Sequence, residues 1–441
     1  MSTTVSAPHR STLSEAPPDS GGHAADQLVA QRAWIALLRG DASMHAGAGL
    51  TDAQWACLAE EAQRHQLSGL TYRALNQEPR VFGAPEAVLV RLRPAYRDTA
   101  LRNAVFFRHT AIVARDLVAH GIPLMLLKGI HLARFTYAEP ALRSMADVDV
   151  MVPRDRLAEA ERVFLDHGYG PTPRPDLEEF CAWSNHLAKL SKPGAPVFEV
   201  HWSIERPTSP FRIDLEGLWA RSRTETLDGV PVHLLAVEDL LLHLALHCSY
   251  HHRFDRSAFK GLADIHTVVV RHRDDIDWQV LIDRAVEWGA SGFVYATLRL
   301  TAQVLGTPIP AATLRALPHE REDEAVVDVA SRYILMPGQQ LPKVYVKLAR
   351  SRSVRERATL LVRHVFLPRS TMERVYGLRG GTRWVWPYYA YRLGSLLVKR
   401  GSLPLRALFR TGTMRAPINR EEQRLHIQGW VKDLPGAGRP G

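Results

Sequence analysis

The sequence of 441 residues contains few cysteines and no long apolar run. Cys57, Cys181 and Cys248 are too few for a disulfide scaffold, and no C-x-x-C pair or other zinc spacing joins them. No stretch of about eighteen or more apolar residues is present, which argues against a membrane-spanning helix. The N-terminal residues are rich in Ser, Thr, Pro and Gly and lack an apolar segment of signal-peptide length. We expect a cytoplasmic protein with a disordered tail over residues 1–26.

Acidic residues are nearly absent from residues 341–420. This stretch contains eighteen Lys and Arg against two acids, so it carries about +16 in a chain whose formal charge is +10. Such a module suits an anionic membrane surface, nucleic acid or an acidic partner. Its segment RWVWPYYAYRLGSLLVKR, residues 383–400, fits either an interfacial helix at the inner membrane face or a core-packing helix pair with a basic outer face.

Apolar periodicity divides the remaining chain into helical and α/β regions, which predicts an α+β fold. A small mixed sheet is expected, with helical regions before and after it. The predicted regions are helical at 27–120, α/β at 121–235, helical at 236–335, and basic and mostly helical with a flexible tail at 336–441. The predicted strands are at 122–128, 147–152, 196–204 and 230–235.

Capping residues predict where two helices of the first helical region begin or end. Thr51 is the expected N-cap of one helix, and Gly121 is the expected stop of the long helix before the first strand. In that long helix, apolar residues recur at three- and four-residue steps. The predicted packed stripe is Leu101, Val105, Ile112 and Leu117.

Two aspartates alternate with valines in the strand Asp147-Val148-Asp149-Val150. Side chains alternate across a strand, so Asp147 and Asp149 share one face and repel each other unless a cation screens them. Mg²⁺ prefers such oxygen ligands. Glu199, in a neighbouring strand, is placed by alternation to reach the same one or two ions. Three acids of this kind suit phosphoryl transfer assisted by two metal ions.

A possible phosphate site precedes the acids. Lys128 and Gly129 close the first strand and open a helix, where free backbone N–H groups favour phosphate and glycine permits close approach. Arg143, in the loop before Asp147, has two open interpretations: a clamp on the γ-phosphate, or a salt bridge to Glu139.

Five segments together resemble the uncharacterised nucleotidyltransferase family of the polymerase-β-like superfamily. The resemblance covers roughly residues 100–270. It is carried by LLKG (126–129), LARFTY (132–137), LRSMADVDVMV (142–152), LDHGYG (165–170) and FEVHW (198–202). Ile130 stands where the superfamily usually has a second small residue, and the gap to the first aspartate is longer than in antibiotic-modifying relatives.

The resemblance implies a minimal nucleotidyltransferase sheet and an NTP substrate such as ATP. It implies that Asp147, Asp149 and Glu199 bind Mg²⁺ and that Gly129 lies at the phosphate-side turn. Transfer of a nucleoside monophosphate to a hydroxyl of a sugar, metabolite, tRNA or protein is expected. The family often lies near bacterial polysaccharide or peptide-biosynthesis genes. A toxin-type enzyme, as in related toxin–antitoxin pairs, and an inactive scaffold that uses the basic module remain alternatives.

Three further residues are candidates for the cleft. His201 shares the face of Glu199 and suits either an acid–base role, a role in orienting a carboxylate, or a structural role. His247 and Asp264, in the helical region that follows, are expected to line the nucleotide or acceptor cleft or to pair with each other.

Overall fold

The computed structural model describes the greater part of the chain. The described residues are 20–40, 49–77, 82–172, 176–255, 257–336, 353–369, 371–372, 386–400 and 415–432. They divide into two compact units. The first lies within residues 1–182, 186–202 and 222–234, and the second within 183–185, 203–221 and 235–441.

Among the described residues of the first unit, four helices precede the sheet. They are α1 (Ser20–Leu38), α2 (Asp52–Arg64), α3 (Ser68–Gln77) and α4 (Glu86–Ala119). Residues 20–26, which composition assigned to the tail, lie in α1. The prediction missed this part of the helix because its small and polar residues carry no strong apolar signal. Residues 1–19 lie outside the described part. Thr51 caps α2 as predicted, in a capping box with Gln54. Gly121 follows α4 with φ +68°, as expected of a helix stop.

The predicted packed stripe of α4 is wrong at three of its four positions. Leu101 is 69% exposed, and Val105 and Ile112 are exposed as well, whereas Leu117 is fully buried. The buried face instead includes the polar residue Asn103. Asn103 is buried because its side chain forms hydrogen bonds. A pattern based on hydrophobicity alone does not detect such a residue, so it placed the buried stripe elsewhere.

The sheet has seven strands in the order β3-β4-β5-β2-β1-β7-β6. Strands β1 and β7 pair in parallel, as do β2 and β5, and the other pairings are antiparallel. The strands are β1 (Met125–Leu126), β2 (Val148–Met151), β3 (Gly170–Pro171), β4 (Leu190–Ser191), β5 (Phe198–His201), β6 (Arg223–Leu227) and β7 (Val230–Leu234). The four predicted strands are β1, β2, β5 and β7, and each is shorter than predicted.

Two helical segments connect the strands around the predicted site. Helix α5 (Lys128–His131) continues as a π-helix, Leu132–Thr136, and helix α6 (Leu157–Asp166) follows β2. Gly168, with φ +79°, follows α6 as a helix stop. A further short helix, α7 (Leu177–Cys181), precedes β4.

One face of the sheet packs on α4 and α6. Val150 of β2 and Val200 of β5 lie in a core with Phe107 and Leu117 of α4 and Phe164 of α6. All five side chains are largely or fully buried. Because strand residues alternate, the polar residues between these valines face the other side of the sheet.

The second unit is helical in its described residues. Its helices are α8 (Leu215–Ala220), α9 (Val237–Leu246), α10 (Ala258–Arg271), α11 (Trp278–Glu287), α12 (Ser291–Leu305), α13 (Ala311–Ala316), α14 (Arg321–Leu335), α15 (Val354–Val365), α16 (Trp386–Arg400) and α17 (Arg415–Lys432). Helix α16 covers most of the predicted segment 383–400. Much of the basic stretch 341–420 lies outside the described residues, so its predicted partners stay predictions.

Two further features follow from the described residues. Within these ranges, no helix combines the length and the apolar character that crossing a membrane requires. Cys57, Cys181 and Cys248 are all buried free thiols.

Candidate active site

Strands β2 and β5 carry two of the predicted acids side by side. The strands run in parallel, with Asp149 directly opposite Glu199. Val150 and Val200 enter the core, so alternation puts Asp149, Glu199 and His201 together on the opposite face. The prediction that Glu199 lies on a strand next to the aspartate strand is confirmed.

Three side chains converge on that face. One ligand atom each from Asp149, Glu199 and His201 lies within 4.8 Å of the other two, the one group of metal-type ligands found in the part of the chain that the structure describes. The carboxylate oxygens fit a hard divalent cation such as Mg²⁺. Asp147 lies one residue before β2, outside this group of three, and its side chain is 36% exposed.

Two lysines partly neutralise the acids. Lys128 Nζ lies 2.9 Å from Asp149 Oδ1, and both side chains are largely buried. Lys189 Nζ lies 2.5 Å from Glu199 Oε1 and 3.8 Å from Asp147 Oδ2. The three carboxylates outnumber the two ammonium groups, so the face keeps a net negative charge that a cation would offset.

Lys189 is a site residue that the sequence pattern missed. Strand β4 pairs antiparallel with β5 through Leu190 and Phe198. Lys189 precedes Leu190 and Glu199 follows Phe198, so the antiparallel pairing brings Lys189 next to Glu199. The available signal was the short alternation in Ala188-Lys189-Leu190-Ser191 before a Pro-Gly turn, which is typical of a hairpin partner for β5.

Burial and neighbouring charges set the pKa values of the acids. Burial raises the pKa of Asp147, and the charges of Asp149 and Glu199 raise it further. Burial also acts to raise the pKa of Asp149, but Lys128 and His201 outweigh it and hold this pKa well below its ordinary value. Burial and repulsion from Asp149 act to raise the pKa of Glu199 as well, yet the hydrogen bond from Lys189 helps to bring it below its ordinary value. Asp149 and Glu199 are therefore ionised at neutral pH.

His201 is buried and neutral. Burial, and then the charge of Lys128, lower its pKa to about 4. Its Nε2 lies 3.0 Å from Asp149 Oδ1. An ionised carboxylate can only accept a hydrogen bond, so we assign the single imidazole proton to Nε2. This tautomer makes His201 a donor that orients Asp149 and leaves the carboxylate oxygens as the metal ligands.

The turn at Lys128 and Gly129 is tightly constrained. Lys128 has a φ of +40°, a left-handed conformation that is strained for a residue with a side chain. A Cβ on Gly129 would lie 3.0 Å from Met145 Cγ, which gives a packing reason for glycine here. Ile130 is fully buried in the core of the first unit. Phosphate binding by Lys128 and Gly129 stays a prediction.

Arg143 lies in the loop before Asp147 and is buried. Its guanidinium donates to the carbonyl oxygen of Ser144. Glu139, its proposed alternative partner, forms a salt bridge with Arg73 and accepts a hydrogen bond from Tyr96. A phosphate-clamping role for Arg143 stays a prediction.

His247 and Asp264 belong to the second unit. Asp264 is buried in α10, and His247 begins a π-helical turn after α9, where its ring lies 4.5 Å from that of His252. Their predicted role in the cleft stays a prediction.

The profile described as "Uncharacterised nucleotidyltransferase" matches residues 51–306, more than half of the chain. The chain belongs to this family.

The match to this nucleotidyltransferase family is wider than the resemblance seen in the sequence. It begins at α2, ends after α12, and includes every residue of the candidate site. No curated protein matches the chain. Among solved structures, the chain is similar to an antigenic nucleotidyltransferase-like protein from Paracoccidioides brasiliensis, with 17% identity over 49% of this chain and 95% of that one and a TM-score of 0.33. A TM-score of this size supports no conclusion, so the assignment rests on the family match.

Proposed function

We propose that this nucleotidyltransferase transfers a nucleoside monophosphate from an NTP to a hydroxyl group and releases pyrophosphate. In this reaction the hydroxyl oxygen forms a bond to the α-phosphorus and the bond between the α-phosphorus and the α–β bridging oxygen breaks. The hydroxyl proton passes through a site carboxylate to solvent. The observation that carries the proposal is the convergence of Asp149, Glu199 and His201 on one face of the sheet.

Asp147, Asp149 and Glu199 would hold one or two Mg²⁺ ions in this proposal. Bound Mg²⁺ would offset the negative charge of the triphosphate and of the leaving pyrophosphate. The low pKa of Asp149 and Glu199 supports this role, since both are ionised without a cation present. His201 would keep Asp149 in a fixed orientation through its Nε2–H group.

The two lysines would have different roles because their burial differs. Lys128 is 16% exposed and held against Asp149, so it fixes the position of that carboxylate. Lys189 is 54% exposed, and a long side chain with this freedom can turn from the carboxylates to the triphosphate once a cation takes its place. Lys189 would then contribute to NTP binding.

Calorimetry tests the proposal against the inactive-scaffold alternative. Wild-type protein should bind an NTP in the presence of Mg²⁺ and lose this binding with EDTA. Absence of Mg²⁺-dependent NTP binding, together with salt-sensitive binding to anionic liposomes or RNA, would favour the scaffold. Growth arrest on expression would point to a toxin-type enzyme within the same reaction class.

A further inference from the structure

A cavity of about 410 Å³ lies beside the loop that leads to Asp147. Its walls come from the junction of α2 and α3, from α4, and from residues 141–146. All of these belong to the first unit. The sequence pattern assigned no function to this part of the helical region.

The last wall residue of the cavity is the neighbour of Asp147 in the chain. Ala146 lines the cavity, and Asp147 is the next residue, about 3.8 Å away between Cα atoms. The Asp147 carboxylate lies 3.8 Å from Lys189 Nζ, which itself contacts Glu199. The cavity therefore borders the residue that precedes the first of the acids.

The helices hold this wall in a fixed position. Asn103 of α4 donates from Nδ2 to the carbonyl oxygens of Pro140 (2.7 Å) and Arg143 (2.8 Å). On α3, a Cβ at Gly69 would meet Ala141 O at 2.2 Å, so the helix and the loop approach as closely as glycine allows. The cavity is thus formed before a ligand binds, which lowers the ordering cost of binding.

The lining combines opposite charges with uncharged polar groups. Asp98 and Arg102, one helical turn apart on α4, line the cavity. Both are exposed, and the described part of the chain shows no ion pair or hydrogen bond for either side chain. Gln63, whose amide oxygen accepts from Arg91, and Ser144, whose hydroxyl donates to the Gln66 carbonyl oxygen, add uncharged polar residues to the lining.

We propose that this cavity binds the acceptor and that the acceptor is a neutral molecule with several hydroxyl groups, such as a sugar or polyol. A carboxylate and a guanidinium side by side cancel in net charge, so the lining does not favour a phosphate group. Together they accept from and donate to neighbouring hydroxyls. The volume suits a compound of about one sugar ring. The acceptor role rests on the proposed nucleotidyl transfer, whereas binding of the polyol does not.

The test measures binding to the full chain by calorimetry, with a panel of neutral monosaccharides and inositol as probes and glucose 6-phosphate and uridine as comparisons. We expect at least one neutral probe to bind. Ala95→Phe, which fills the cavity from α4, should weaken this binding about tenfold or more. The matched control is Ala104→Phe, an exposed position on the same helix outside the cavity, which should leave it unchanged.

A second variant provides the test if Ala95→Phe does not fold. Arg102 is exposed, so Arg102→Gln should keep the fold and still weaken binding of the neutral probe. The proposal is overturned when no neutral probe binds, when uridine or the phosphorylated sugar binds instead, or when neither variant weakens binding. If the neutral probe binds in this cavity but wild-type protein shows no Mg²⁺-dependent NTP binding, the proposed nucleotidyl transfer fails and the polyol site stands.

Discussion

Asp149 and Glu199 lie directly opposite each other on the parallel strands β2 and β5. Both side chains are largely buried on a face of the sheet that also carries Asp147 at its edge. Ionised carboxylates this close repel each other, and the repulsion is relieved by Lys128, Lys189 or a metal cation. The two lysines and a metal cation therefore compete for the same carboxylates.

Metal binding should stabilise the wild-type protein. A ligand that binds only the folded state adds about 2.7 kcal/mol at one hundred times its Kd, so Mg²⁺ or Mn²⁺ should raise the Tm of EDTA-treated protein. Asp149→Asn and Glu199→Gln should each remove this rise. Asp166→Asn, which changes an exposed carboxylate on α6, is the control and should keep it. An equal rise in all four proteins would contradict the site.

Removal of Lys128 should lower the stability of the metal-free protein and make that stability depend on bound divalent metal. Lys128→Met leaves the buried Asp149 carboxylate without its ammonium partner, which costs about 3–5 kcal/mol for a buried pair. Divalent metal should restore part of the loss, and so should the double variant Lys128→Met/Asp149→Asn. Urea unfolding with and without Mn²⁺ measures both effects. A loss that neither change relieves would mean that Lys128 acts through the packing of its side chain rather than its charge.

Lys189 should matter for NTP and hardly for stability. Its ion pair with Glu199 is more than half exposed on the lysine side, and such pairs contribute about 1 kcal/mol or less. Lys189→Ala should leave the unfolding free energy nearly unchanged and weaken Mg²⁺-dependent NTP binding by about tenfold.

Lys192→Ala is the matched control for Lys189, because Lys192 is a nearby exposed lysine that contacts the His167 carbonyl oxygen instead of the acids. It should bind NTP as wild type does. Similar losses from both variants would show a general charge effect instead of a specific contact.

Asn103 should position the loop before Asp147. Asn103→Ala leaves the carbonyl oxygens of Pro140 and Arg143 without their donor, and the buried Arg143 oxygen alone should cost about 1–3 kcal/mol. The loop over residues 140–146 should exchange amide hydrogens faster, and the affinity for Mn²⁺ should fall. Thr110→Val on the same helix removes a hydroxyl that bonds only to the Phe106 carbonyl oxygen. It should lower stability without either loop effect.

Strand alternation and capping chemistry were enough to predict much of the first unit. The alternating acids and valines placed β2 and β5, and the Thr51 cap and the Gly121 stop are both observed. These features follow from local rules, since alternation and a cap depend on a few neighbouring residues. Strand β6 was missed although Asp228-Gly229, both with positive φ, is a strong hairpin signal.

The remaining features depend on partners far apart in the sequence. Asn103 is buried because it bonds to residues about forty positions later, and its polarity misled the prediction of the packed face of α4. Lys189 reaches the acids through pairing of β4 with β5. The cavity beside Asp147 arises where three helices meet a loop, and no single stretch of sequence encodes it.

The most direct test of the account is pyrophosphate release from labelled NTPs. Purified wild-type protein with Mg²⁺ and a neutral polyol from the binding panel should release pyrophosphate and label the polyol. The double variant Asp147→Asn/Asp149→Asn should release about a thousandfold less or none, as expected when the charge-stabilising groups of a site are lost. Release that persists undiminished in the double variant would contradict the assignment of these acids.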